Sequence, residues 1–283
     1  LIATRAPLRL NDRMIAYLLI LPAILYVFVF AFLPSVQTIF GSFFLASGKF
    51  SLYNYQFVTS SFGYSPIVNT FEVTVIALTV QFIAAFLIAS LLSKPFRGRA
   101  VFSAIFLIPF GVATIVTAVI FHNMFSTFGG YMNSFLVSIG LKPINWTGGF
   151  WPPLIALILA DSWKNTPIVT LVLLSGMVSI PSDLYSQAMV DGAGAFRRFF
   201  YITLPNLAGF IAIALMIRGI SEFNIFAMAL LIFNRQLLTT MTFSLYDTIN
   251  PHPAYAGAAI LLGIVLIFAT LIMLYRSRYV RVV

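Results

Sequence analysis

Apolar residues run almost unbroken through six stretches of this chain, at about 14–38, 67–92, 101–122, 151–178, 206–231 and 255–275. Each exceeds the roughly 18 residues that a helix needs to cross bilayer hydrocarbon. The pattern predicts six spanning helices with both termini on one side of the membrane. One polar stretch, 182–205, interrupts the oily sequence between the fourth and fifth spans. There Ser182 is placed to cap a helix carrying Asp183 in its first turn, and Asp191-Gly192 supplies the turn that ends it. A second short helix is predicted from Gly194 through Arg197, Arg198, Phe199 and Phe200, ending at Leu204-Pro205 where the proline ring disfavours helix just before it. The expected product is a helix-turn-helix knob on a membrane face. Presenting Leu184, Ala188, Phe196 and Phe199 beside two arginines, it suits a cleft on another protein better than water.

Composition agrees with a membrane solvent. Hydrophobic residues make up 61% of the 283 and charged residues 8%, with a mean hydropathy of +1.02. Too little polar surface exists to cover a water-soluble globule. Basic residues set the orientation, because Lys and Arg near span ends stay on the cytoplasmic side. Arg5, Arg9, Arg13, Lys94, Arg97, Arg99, Arg197, Arg198, Arg276, Arg278 and Arg281 fall on one side, and only Lys49, Lys142 and Arg235 on the other. Both termini and the 182–205 knob are therefore expected in the cytoplasm. The net charge of +9 is this asymmetry and calls for no nucleic-acid partner. The first span follows three arginines and lacks a clear small-residue cleavage site, so it reads as an uncleaved anchor.

The outer connections, 45–66, 125–150 and 234–254, are long and carry Gly, Asn and Pro punctuation. Tyr53, Tyr55, Phe57 and Trp146 within them fit an interfacial aromatic belt, or alternatively a docking surface for an external partner. No cysteine is present, which removes disulfides and thiolate metal sites. His122 and His252 lie far apart without a carboxylate at ligand spacing, so neither a metal site nor a cofactor is expected.

Ionisable groups at membrane depth cost roughly 2.5 to 3.5 kcal/mol each on insertion scales, so those present usually face a cavity or a partner. On the fourth span Asp161 and Asn165 share a face, with Lys164 able to reach back to Asp161, and Pro167 is placed to kink the helix. On the fifth, Arg218 and Glu222 are one turn apart and Asn224 follows. On the third, Pro109 removes a helical hydrogen bond beside Phe110 and Gly111, with Thr114 one turn beyond Phe110. One reading has these charges simply neutralise each other inside the bundle. The other arranges Phe110, Thr114, Asp161, Asn165 and Glu222 around a mid-membrane cavity able to hold a neutral polyol such as a sugar.

Within the knob, Ala188, Asp191, Gly192, Ala193, Phe199, Ile202, Leu204 and Pro205 stand in the register of the EAA loop. Through that loop the chain resembles the inner-membrane permease subunits of binding-protein-dependent ABC importers. Ser186 stands where that family usually has Glu, and Gln187 where it has Ala. Further pieces occur in order: Leu21-Pro22, Asn54-Tyr55, Asn69-Thr70, Arg97-Gly98-Arg99, Ile108-Pro109, Trp163-Lys164 with Pro167, Ser175-Gly176 and Ile180-Pro181. They resemble the carbohydrate branch, the maltose, trehalose and glycerol-phosphate type. The stretch after the fifth span departs from that branch, reading Phe233, Asn234, Arg235, Gln236 in place of a Gly-Gly-Pro-rich segment.

The resemblance implies an all-α, polytopic permease of the type I importer fold, one domain over 1–283 with its coupling loop at 182–205. It implies sugar import driven by a separate pair of ABC ATPase subunits. Contact with them would pass through Leu184, Ser186, Gln187, Ala188, Asp191, Gly192, Ala193 and Phe199. A second permease subunit, homologous and different, and an extracytoplasmic sugar-binding protein are the other implied partners. No Gly-x-x-x-x-Gly-Lys-Ser/Thr phosphate loop occurs, so ATP is not expected to bind this chain. An intramembrane enzyme would need a nucleophile with a base in reach, and nothing here marks an activated Ser or Thr. A permease of the same type for glycerol phosphate or another small solute stays open.

Overall fold

A computed structural model describes residues 12–61, 63–232 and 251–279, and every regular element among them is helical. Among the described residues four spans are unbroken by any sharp bend. The first, Tyr17–Ser42, joins α1 (Asp12–Val27) to α2 (Leu33–Ser42) through one π-helical turn, Phe28–Phe32. The others are α4 (Ser65–Leu92), α8 (Trp151–Ser179) and the last helix, α14 (Pro251–Tyr279). A short helix, α3 (Tyr53–Ser61), lies between the first two spans.

Two of the six spans are broken rather than straight. The third divides into α5 (Arg99–Gly111) and α6 (Thr114–Met124), bent by 94° through extended residues Val112 and Ala113. Pro109 cannot donate to the helical ladder, and two residues later the ladder stops. The fifth is α12 (Ala208–Phe223), which ends at Asn224 and resumes as α13 (Ala227–Ile232), so 206–231 is not one helix. Pro167, by contrast, lies inside an α8 that stays continuously helical to Ser179.

The knob folds as two helices about a tight turn. In α9 (Ser182–Val190) Ser182 is the first helical residue and Pro181 precedes it, so Ser182 does not cap the helix, although Asp183 does lie in the first turn. At the other end Ala193 N–H donates to Ala188 O at 2.8 Å and Gly192 N–H to Met189 O at 3.1 Å. With Gly192 at φ +76°, this is the Schellman arrangement that satisfies the last carbonyls of a helix. After α10 (Ala195–Arg198) comes a second π turn, Phe199–Thr203, and then α11 (Leu204–Asn206). The helix therefore passes through Pro205 and bends by 66° into α12 at Leu207. Both π turns end two residues before a proline, Pro34 and Pro205. A wider turn relieves the clash between the proline ring and the preceding carbonyls.

Packing centres on α4, α8 and α12. Along α4 the buried positions Val73, Ala77, Gln81, Ala85 and Ala89 recur every four residues, which is one helical face. Three alanines on that face let the backbones approach closely, as association in lipid requires. Ala85 and Ala89 pack with Val169 and Leu173 of α8 and Ala214 of α12. Toward the other end of α4, Val73 and Ala77 join Phe121 of α6, Leu157 of α8 and Met228 of α13.

The 125–150 connection contains one more helix, α7 (Tyr131–Ser138), and is built around Asn133. Its amide donates to Thr127 O and Ile144 O at 3.0 and 2.9 Å and accepts from Ile144 N–H and Trp146 Nε1 at 3.0 and 2.9 Å. Trp146 is only 6% exposed and meets Phe125 edge-on, so it anchors this connection's core and does not belong to an interfacial belt. Tyr53 is exposed, whereas Tyr55 is half-buried with its hydroxyl 2.7 Å from Ser42 Oγ.

Candidate functional site: a polar network beside two broken spans

Four side chains from three helices meet in the apolar interior. Gln81 of α4 donates through Nε2 to Asp161 Oδ2 at 2.6 Å and to Glu222 Oε1 at 2.8 Å, and its Oε1 accepts from Arg218 Nε at 3.1 Å. Arg218 also donates to Asp161 Oδ2 at 3.1 Å and to Glu222 Oε1. All four residues are at least nine-tenths buried. Carboxylates only accept hydrogen bonds, so the Gln81 amide group has one orientation that fits. Glu222 Oε2 has no partner among the described residues.

Pairing differs here from one sequence-based reading. Spacing along the helix lets Lys164 reach Asp161, but the partners of Asp161 are Arg218, Gln81 and, at 2.7 Å, Asn165 Nδ2. Lys164 instead crosses to the broken third span, where Nζ donates to Val112 O and, at 3.4 Å, to Phe110 O. A cation is favoured there because carbonyls at a helix C-terminus are unpaired and carry partial negative charge.

Beside this network lies a cavity of about 320 Å³. Thr114, Asp161, Lys164, Asn165, Arg218, Ser221 and Asn224 supply its polar lining, and the unwound stretch from Ile225 to Phe226 closes it with Ala227 and Met228. The fifth-span break forms one wall, and Thr114, the first residue after the third-span break, lines another part. Backbone that is not helical is tolerated at membrane depth only where protein buries it or it lines a cavity. Thr114, Asp161 and Asn165 thus come together at the cavity. Glu222 sits behind Arg218, and Phe110 lies at the end of α5 with a half-exposed ring, outside the lining. Gln81 was missed in the sequence. Its signal was a lone amide in an apolar run, which must find partners when buried.

The sequence profile of the binding-protein-dependent transport system inner membrane component family matches residues 81–281. The chain belongs to that family. The permease is 37% identical over 227 residues to the trehalose/maltose transport system permease protein MalF of Thermococcus litoralis, covering 77% of each chain. It is 32% identical over 228 residues to the sulfoquinovosyl glycerol transport system permease protein SmoG of Agrobacterium fabrum, covering 77% of the permease and 74% of the relative. In fold it resembles a chain of a bacterial ABC transporter involved in import of the acidic polysaccharide alginate. The TM-score is 0.78 at 19% identity, over 94% of the permease and 96% of that chain. A second structure of a bacterial alginate ABC transporter, in complex with a pentasaccharide-bound periplasmic protein, superposes with a TM-score of 0.75 at 20% identity over 92% and 93% of the two chains.

Proposed function

We propose that the permease moves an uncharged sugar, a disaccharide or oligosaccharide, into the cytoplasm as one subunit of an ATP-driven importer. The cavity carries this reading: it lies between two interrupted spans, where transporters hold solutes near the bilayer midplane. Its volume of about 320 Å³ is in the range of small-ligand sites. Thr114 and Asn165 contact the sugar, with Asp161 accepting from a hydroxyl, while Glu222 fixes Arg218 from behind and Phe110 borders the entrance. Neutrality of the solute follows from the balance of charge: Asp161 and Glu222 offset Arg218 and Lys164, so the site carries no net charge for an ionic solute to complement.

The knob seats in an ATPase subunit through Leu184, Ser186, Gln187, Ala188, Asp191, Gly192, Ala193 and Phe199, on the cytoplasmic side that also holds both termini. Closure of two ATPases on ATP drives the cavity from inward- to outward-facing, together with a second, homologous permease and a sugar-binding protein outside. Sugar-stimulated ATP hydrolysis by the reconstituted complex tests the assignment. Asn165→Ala and Thr114→Val are expected to weaken the dependence on maltose or trehalose while the ATPase still copurifies. Unaltered sugar dependence in both variants would overturn the site.

A further inference from the structure

A second and larger cavity, about 610 Å³, lies between the ends of α4 and α8 and the knob. Lys94, two residues beyond the end of α4, and Arg198 of the knob both line it. Neither side chain forms a hydrogen bond or ion pair among the described residues, and no carboxylate is in the lining. Arg218 shows the contrast, since the carboxylates of Asp161 and Glu222 lie against it. Two uncompensated cations turned to one concave space raise its potential and favour an anion there.

The remaining lining narrows the anion's chemistry. Ser93 and Ser182 bring hydroxyls to the cationic part, whereas Met177 and Ile180 form an apolar wall. The cavity sits where α4 stops at Leu92 and α8 at Ser179, the level at which a bilayer places its headgroups. Basic pockets between spanning helices at this level suit anionic lipid headgroups. We propose that this cavity holds the phosphate headgroup of an anionic phospholipid, with Lys94 and Arg198 on the phosphate and the acyl chains leaving along Met177 and Ile180. A lipid seated there ties the knob to the end of α4. The proposal does not depend on which solute the permease carries.

Native mass spectrometry of the full-length permease, purified with its accompanying subunits in phosphatidylcholine and titrated with phosphatidylglycerol, tests it. Lys94→Gln and Arg198→Gln are each expected to lower phosphatidylglycerol retention about fivefold, the effect of one basic group near an anionic surface. Lys94→Arg with Arg198→Lys should retain the lipid, and Arg97→Gln, outside the lining, should change little. Equal loss in the Arg97 variant, or unchanged retention in the glutamine variants, would overturn the site in favour of diffuse surface charge. Inorganic phosphate in excess should not displace the lipid. Displacement would assign the cavity to a soluble phosphate and overturn the lipid.

Discussion

Arg218 of α12 donates to Asp161 of α8 at 3.1 Å, a charge pair that crosses between two spanning helices separated by 57 positions in sequence. Lipid cannot solvate either group, so each depends on the other and on Gln81 and Glu222. Breaking such a buried pair from one side costs about 3–5 kcal/mol, because the abandoned charge stays buried. Arg218→Met is accordingly expected to lower the detergent-solubilised permease's unfolding temperature sharply. Adding Glu222→Gln, which removes one of the two stranded carboxylates, should recover part of that loss. An unfolding temperature unchanged in Arg218→Met would show that the network does not hold the helices together.

Lys164 holds the bend of the third span by its bonds to Val112 O and Phe110 O. Lys164→Met leaves these carbonyls unpaired, at a cost of about 1–3 kcal/mol. Hydrogen exchange should quicken at residues 112–117 without comparable change in α4. Equal protection in both proteins would detach Lys164 from the bend.

Gly192 has φ +76°, and a Cβ there would meet nothing within 4 Å. Substitution is thus a backbone effect alone, about 1–2 kcal/mol for a β-branched residue in left-handed geometry. Gly192→Val is expected to distort the knob's turn and reduce ATPase copurification while the bundle's unfolding temperature moves little. Gly192→Asn, which tolerates this geometry, should keep most of the binding.

Gly219 allows α12 to approach α14: an added Cβ would lie 2.3 Å from the Phe268 ring. Gly219→Ala should destabilise by about 1–3 kcal/mol through overpacking. The double variant Gly219→Ala with Phe268→Leu is expected to be more stable than Gly219→Ala alone, which thermal unfolding can read directly.

Asn133→Ala removes four hydrogen bonds from the 125–150 connection at once, including the one from Trp146. Tryptophan fluorescence should shift to the red as Trp146 meets water, and exchange should rise across 127–147. A spectrum like that of the parent protein would place the loop's anchor elsewhere.

Local chemistry made much of this permease legible in one dimension. Six apolar runs specify six crossings because each is long and oily enough to span the hydrocarbon of a bilayer. Gly192 specifies its turn because only a residue without Cβ enters that conformation freely. Asp161, Asn165, Arg218 and Glu222 were conspicuous as polar positions in oil, and they do converge.

Which partner each polar group takes was decided only by the tertiary structure. Spacing along α8 allows Lys164 to meet Asp161, yet the rotational setting of α8 turns Asp161 toward α4 and α12 and offers Lys164 the open carbonyls of α5. The same holds for Trp146, whose burial depends on an asparagine thirteen residues away folding back beneath it. Pro109 and Pro167 carry the same local penalty, but one lies just before a 94° break and the other within an unbroken helix. Proline weakens a helix locally, whereas whether the chain turns there depends on what receives the freed carbonyls, and that is a property of neighbouring helices.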